Sequence, residues 1–224
     1  MTYLTRLILN PRYHRVQHDL ADCQRLHSTL LSGFPDLPGV EARARLGVLY
    51  RVEAPPSPLH ILVQSAVAPA WSSLPRAYVL AEPEIRRIDA SYAAIHDGQR
   101  LRFRLRANPT KRVLREETRG GKCWAGKRVN LVNEEDQLAW LGRKGEGGGF
   151  QLVSVQTSHG VPQVQATPRP RTRGDRDGRT LTFGSVQFDG VLSVTDADRF
   201  RHALTGGIGS GKAYGFGLLS VAAT

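Results

Sequence analysis

Hydrophobic and polar positions alternate most strictly at Leu101-Arg102-Phe103-Arg104-Leu105-Arg106. A strand turns successive side chains to opposite faces, so this spacing predicts a strand with three apolar side chains on one face and three guanidinium groups on the other. Residues 3–9 are bulky and largely apolar and stop at Asn10-Pro11, which predicts a first strand. After it, Leu20, Cys23, Leu26, His27, Leu30, Leu31 and Phe34 recur at short helical steps. That spacing predicts one helix, with Asp19 as the expected N-cap and Gly33 and Pro35 as the stop. Residues 46–53 and 59–65 predict a strand pair across Pro55-Pro56-Ser57-Pro58. Residues 71–99 show no single period and are expected to hold a second helix and a fourth strand.

Beyond the alternating strand the pattern predicts a helix over 134–143, a strand over 150–156, and extended segments over 180–188 and 191–195 that turn at Asp189-Gly190. A short helix over 198–204, a glycine-rich loop and a last strand over 217–222 follow. The second half therefore reads β-α-β-β-α-β, and the first half is compatible with the same order. This predicts an α+β chain of two tandem ferredoxin-like (RRM-like) domains, residues 1–98 and 99–224. No strong internal repeat accompanies the element order.

With 224 residues, 40% hydrophobic and 23% charged, the composition is globular. No stretch reaches the roughly 18 to 20 apolar residues of a membrane span, and residues 1–10 lack the pattern of a secretory signal, so a cytoplasmic location is expected. Cys23 and Cys123 lie a hundred residues apart, which gives neither a disulfide framework nor paired zinc ligands. The net charge of +11 is concentrated. Residues 99–128 hold eleven Lys and Arg against two Glu, and residues 169–179 hold five Arg against two Asp. The rest of the chain is close to neutral. Patches of this kind fit a polyanion, and nucleic acid is the simplest one.

The loop Gly206-Gly207-Ile208-Gly209-Ser210-Gly211-Lys212-Ala213 nearly spells a phosphate-binding loop, but Ala213 lacks the hydroxyl that would meet magnesium and no helix is predicted after it. Two readings remain: amides of Gly209 and Gly211 with Lys212 exposed to phosphate oxygens, or a tight connection that needs positive φ. His27 falls within the apolar helix stripe, so it is either a packed core histidine or a catalytic one. His14 and His18 form an i, i+4 pair without a third ligand in view, so no metal and no cofactor are expected.

Four segments carry a resemblance: Gln24-Arg25-Leu26-His27, Phe103-Arg104-Leu105-Arg106-Ala107-Asn108-Pro109, Gln137-Leu138-Ala139-Trp140-Leu141, and the loop from Gly207 through Gly211-Lys212-Ala213-Tyr214-Gly215-Phe216-Gly217 to Ser220. Together with Phe188-Asp189-Gly190 these resemble, in order and spacing, the CRISPR RNA-processing endoribonuclease of the type I-E Cascade complex, the CasE family. The resemblance implies two ferredoxin-like domains and an enzyme that binds the hairpin of CRISPR repeat RNA. It implies cleavage at the 3′ base of the stem without metal, with the product kept alongside other Cascade subunits. It places the catalytic histidine at His27. Members often carry a tyrosine three residues earlier, where this chain has Gln24, a residue that orients by hydrogen bonds but exchanges no proton at neutral pH. Lys212 is a candidate for stabilising charge on the phosphorane. Arg169, Arg171 and Arg173 are expected to project together toward the RNA stem, and Lys111, Arg112, Lys127 and Arg128 to lie where the two domains meet, along the backbone track. Arg104 and Arg106 either line that track or form a solvated strand face. The alternative function is a non-catalytic hairpin-binding subunit of the same fold.

Overall fold

The computed structural model describes residues 1–37, 42–54, 58–113, 118–119, 122–123, 126–154 and 162–224. The Pro55-Pro56-Ser57 part of the expected turn, residues 155–156 of the expected strand and Arg115 of the basic stretch lie outside the described residues. The N-terminal part runs β1 (Tyr3–Ile8), α1 (His14–Ala21), α2 (Cys23–Leu31), α3 (Ala42–Arg45), β2 (Leu49–Glu53), β3 (His60–Ser65), β4 (Glu84–Arg87) and α4 (Asp89–Ala93). Its sheet has the order β2-β3-β1-β4, all antiparallel. Leu7, Leu26, Leu30, Tyr50, Ile61 and Val63 fill the core between this sheet and α1–α2.

Two expectations fail here. The single helix capped by Asp19 is two helices: α1 ends at Ala21, Asp22 is extended (φ −131°), and its Oδ1 accepts from the backbone N–H of Gln24 at 2.8 Å and Arg25 at 3.2 Å. Asp22 is thus the true N-cap, satisfying donors that a fresh helix start leaves open. Asp19 instead sits buried inside α1 and accepts a 2.9 Å hydrogen bond from the Tyr78 hydroxyl. Residues 71–99 hold the expected strand, β4, but the place of the second helix before it is taken by two 3₁₀ turns, Trp71–Ser73 and Arg76–Tyr78, where prolines at 69, 75 and 83 interrupt any longer run, and the short helix α4 comes after β4.

The C-terminal part runs β5 (Arg100–Ala107), β6 (Thr110–Arg112), β7 (Thr118–Arg119), β8 (Lys122–Cys123), β9 (Arg128–Asn130), α5 (Glu134–Gly147), β10 (Phe150–Leu152), β11 (Val164–Arg176), β12 (Arg179–Val194), α6 (Ala197–Gly206) and β13 (Leu219–Ala223). The order β10-β12-β5-β13 repeats the arrangement of the first sheet, and α5 and α6 occupy the two helix places of the β-α-β-β-α-β unit. The chain is therefore an α+β protein of tandem ferredoxin-like folds. On β5 the alternation is as expected: Leu101, Phe103, Leu105 and Ala107 are buried in a core with Trp140, Phe188 and Phe200.

The turn expected at Asp189-Gly190 is absent. β12 runs straight through it, and Gly190 serves close approach instead, since a Cβ there would stand 2.4 Å from the Gln163 carbonyl oxygen. The real turn is at Asp177-Gly178, between β11 and β12, where both residues have positive φ. This long hairpin extends past the sheet and reaches the N-terminal part, where its Asp175 N–H donates to Asp22 Oδ2 at 3.3 Å.

Candidate active site

α2 carries the central group. His27 is partly buried, its Nδ1 is shut off from solvent without a hydrogen-bond partner, and its ring meets the edge of Tyr214 with centroids 6.0 Å apart. Burial, followed by the charges of Arg43 and Arg176, lowers its pKa from 6.5 to about 4, so the imidazole is neutral at pH 7. Arg43 comes from α3 and is fixed by an Nη1–H bond to the Val48 carbonyl at 2.9 Å, while Arg176 comes from the hairpin tip. Cys23, buried at the start of the same helix, has its thiol pushed up to about 11 by burial and by Asp22, and it stays protonated.

The hairpin can lie across the start of α2 because Gly174 has no side chain. A Cβ there would stand 2.8 Å from both Asp22 Oδ1 and Cys23 Sγ. Beside this contact a cleft of about 720 Å³ opens between the two halves, lined by Leu26, Tyr50, Arg106, Arg171, Arg173 and Tyr214 among others. Gln24, one turn before His27, borders a separate groove of about 430 Å³ between α1 and α2, which also holds His14, His18, Arg15 and Arg25.

The three hairpin arginines do not project as one row. The register slips by one residue between Arg169 and Thr172, so that Arg169 pairs with Ser185 and Thr172 with Phe183. Such a bulge reverses which residues share a face. Arg169 and Thr172 share the face of Arg106, and Arg173 takes the opposite one, although all three arginines line the cleft.

Arg104 and Arg106 both line the cleft, and each is held there by hydrogen bonds. Arg104 reaches Asp189 Oδ1 at 2.6 Å and Glu53 Oε2 at 3.3 Å, and buried Arg51 donates to Glu53 Oε1 at 2.6 Å and to the carbonyls of Arg104 and Leu218. These groups join the two halves. Arg106 donates to Ser185 Oγ at 2.8 Å and Thr172 Oγ1 at 3.1 Å and lies 5.4 Å over the Phe216 ring, and burial lowers its pKa. Both are cleft walls, each held through Nε and one terminal nitrogen of the guanidinium.

Lys111, Arg112 and Arg128 are exposed on the two-stranded ribbon β6–β9, with Lys127 at its end, and Asn130 of this ribbon abuts Gly184 of the hairpin. The ribbon thus sits beside the hairpin, as a lateral extension of the C-terminal unit.

The glycine loop follows α6 and leads through a 3₁₀ turn, Lys212–Tyr214, into β13, so the order of strand, loop and helix needed for a nucleotide-hydrolysing loop is absent. Gly209 and Gly211 have φ of 83° and 74°, and Cβ atoms there would press on Trp140 and Phe216 at 3.0 Å. Tight packing against rings accounts for both. Lys212 Nζ donates to the Gly206 carbonyl at 2.6 Å and faces a groove of about 540 Å³ with Arg143, Lys144 and His202. Burial and the charges of Arg43 and Lys144 lower its pKa. Among the described residues no three His, Cys, Asp or Glu side chains gather as a metal site.

Sequence reasoning missed Arg43, Arg176 and Tyr214 as neighbours of His27. Arg43 stands in a segment with no periodic signal. Arg176 was only one of five arginines in a basic run, and Tyr214 was hidden in a loop read for its glycines.

The profile of the CRISPR associated protein family matches residues 2–223. The chain is 38% identical to the CRISPR-associated endoribonuclease Cse3 of Thermus thermophilus, over 98% of this chain and 99% of that one. It is 31% identical to the CRISPR system Cascade subunit CasE of Escherichia coli, over 98% of both. The solved structure of Thermus thermophilus Cse3 bound to an RNA representing a pre-cleavage complex superimposes with a TM-score of 0.75 at 36% identity, covering 99% of this chain and 98% of that one. The chain belongs to the CRISPR associated protein family, as a member of its CasE branch.

Proposed function

We propose that this protein binds the stem-loop of CRISPR repeat RNA and cuts it at the 3′ base of the stem, keeping the product within an assembly with other Cascade subunits. Its relatives support the reading by name: one is an endoribonuclease seen with a pre-cleavage RNA, another a Cascade subunit. The division into units 1–98 and 99–224 is part of this reading, supported by the two separate sheets, with Tyr92 and Ile95 packing across it into the second core, and the junction offers the strand its path. The expected compartment is the cytoplasm, and no described helix is long and apolar enough to cross a membrane.

The observation that carries the reading is His27 held neutral between Arg43, Arg176 and Tyr214. RNA supplies its own nucleophile. The 2′-oxygen bonds to the adjacent phosphorus as its proton leaves, and the bond from phosphorus to the 5′-oxygen breaks as that oxygen gains a proton. The products are a 2′,3′-cyclic phosphate and a 5′-hydroxyl, and no metal is required. His27 transfers one or both protons through Nε2, because Nδ1 is buried. A phosphodiester entering beside Arg43 and Arg176 offsets the charges that lower the imidazole pKa, bringing it closer to working pH. Those arginines are suited to the charge that grows on the phosphorane, and Lys212, whose ammonium feels the charge of Arg43, is a further candidate for it. The exposed cations of the hairpin (Arg169, Arg171, Arg173) and of the ribbon (Lys111, Arg112, Lys127, Arg128) meet stem phosphates.

A labelled repeat hairpin incubated with the protein in EDTA tests this. Wild type is expected to cleave, and His27→Ala to lose about 10² to 10⁴ in rate while its Kd for RNA stays unchanged. Tight binding by wild type without cleavage would establish the non-catalytic alternative.

A further inference from the structure

Resting on the proposed RNA cleavage, we infer that Tyr214 is a positioning residue of the active site, which aligns Gln24 and His27 for the reaction. Three contacts converge on this side chain. Its hydroxyl donates to Gln24 Oε1 at 3.2 Å, across 190 positions of sequence. Its ring stands edge-to-face with the His27 imidazole, the centroids 6.0 Å apart. Its other neighbour is Phe183 of the hairpin, 5.0 Å away between centroids, so the ring is braced from the hairpin side as well.

Gln24 and His27 stand three residues apart on α2 and therefore share a face. A glutamine has one acceptor oxygen and two N–H donors. With the oxygen engaged by Tyr214, the amide nitrogen is the end left to meet a ribose or phosphate oxygen. The hydroxyl thus decides which way the amide points, and the ring limits how far the imidazole can swing.

The backbone is built to hold Tyr214 there. It closes the 3₁₀ turn between Gly211 (φ 74°) and Gly215 (φ 83°), its N–H donates to the Gly211 carbonyl at 2.8 Å, and the carbonyl before it accepts from the Tyr50 hydroxyl at 3.1 Å. Gly215 lies against the Tyr50 ring, where a Cβ would stand 3.0 Å from it. The loop therefore delivers one aromatic side chain to one place, and that place is beside His27.

The test compares single-turnover cleavage rates and RNA Kd for wild type, Tyr214→Phe, Gln24→Ala and the double variant, with His27→Ala as control. Tyr214→Phe keeps the ring and its packing and removes only the hydroxyl. It is expected to slow cleavage about tenfold, near the upper end of what one neutral hydrogen bond carries, with Kd unchanged. Because the hydroxyl acts through Gln24, the phenylalanine should cost nothing further in the Gln24→Ala background. A full wild-type rate in Tyr214→Phe, losses that simply add in the double variant, or a change confined to Kd would overturn the inference. If His27→Ala is inactive in the same series, that failure leaves the proposed function standing. A wild-type protein that does not cleave, or a His27→Ala variant that cleaves normally, overturns the proposed function and this inference with it.

Discussion

Burial and two guanidinium groups act on His27 in the same direction, and both disfavour the imidazolium. The acid limb of kcat/KM reports the free enzyme's essential base. If His27 takes the 2′-hydroxyl proton, kcat/KM at limiting RNA should stay level from neutral pH down to about pH 5 and fall as pH drops through about 4. A fall centred at 6.5, the ordinary histidine value, would contradict the buried setting. The same shift bears on stability. Between pH 6.5 and about 4 the unfolded chain binds this proton and the folded one does not, so His27 costs stability as pH falls through that window. The sequence placed His27 on the apolar stripe of a helix, which is correct for its backbone. It left the core and catalytic readings open, because the groups that set its chemistry come from α3, the hairpin tip and the glycine loop. No local pattern connects those segments to α2.

Among the elements, the hairpin β11–β12 does the most to assemble the site. Gly174 lets it lie on the first turn of α2, and Asp22 both caps α2 through Oδ1 and accepts from Asp175 through Oδ2. Gly174→Val is expected to lift the hairpin tip from α2, withdrawing Arg173 and Arg176, and so to weaken RNA binding and slow cleavage together. Gel-shift titration and single-turnover kinetics of the same variant would show it, and an unchanged Kd and rate would sink this account of the docking. Strands with clean alternation or bulky apolar runs were legible: β1, β3, β5 and β13 fall within a few residues of expectation. The helix break at Asp22 was not, since the apolar spacing continues across it while only the cap geometry changes. Asp189-Gly190 misled for a related reason. A glycine that admits a neighbouring backbone looks, in sequence, like one that makes a turn.

At the scale of the whole molecule, two sheets of the same order are fastened by polar groups rather than by a shared apolar core. Arg51, Glu53, Arg104 and Asp189 link β2 to β5 and β12, and Gln64 donates to the Leu204 carbonyl at 2.9 Å while accepting from Tyr92 at 2.7 Å. Element order made the tandem fold legible, but the junction is not legible because its members are scattered over β2, β3, β5, β12 and α4. Arg104 lies on the most regular strand in the chain, and the two carboxylates it pairs with come from distant segments that its own spacing does not point to. The junction fixes the cleft, and the cationic hairpin that lines it carries Arg176 to the neutral imidazole. What this arrangement is claimed to perform is transesterification by the RNA's own 2′-oxygen. Mass spectrometry of the fragments from a repeat hairpin, alongside one carrying a single 2′-deoxy nucleotide at the cut, measures that directly. The account requires a 2′,3′-cyclic phosphate on the upstream fragment, a 5′-hydroxyl on the downstream one, and no cleavage of the deoxy hairpin. A 5′-phosphate product, or cleavage that persists without the 2′-hydroxyl, would contradict it.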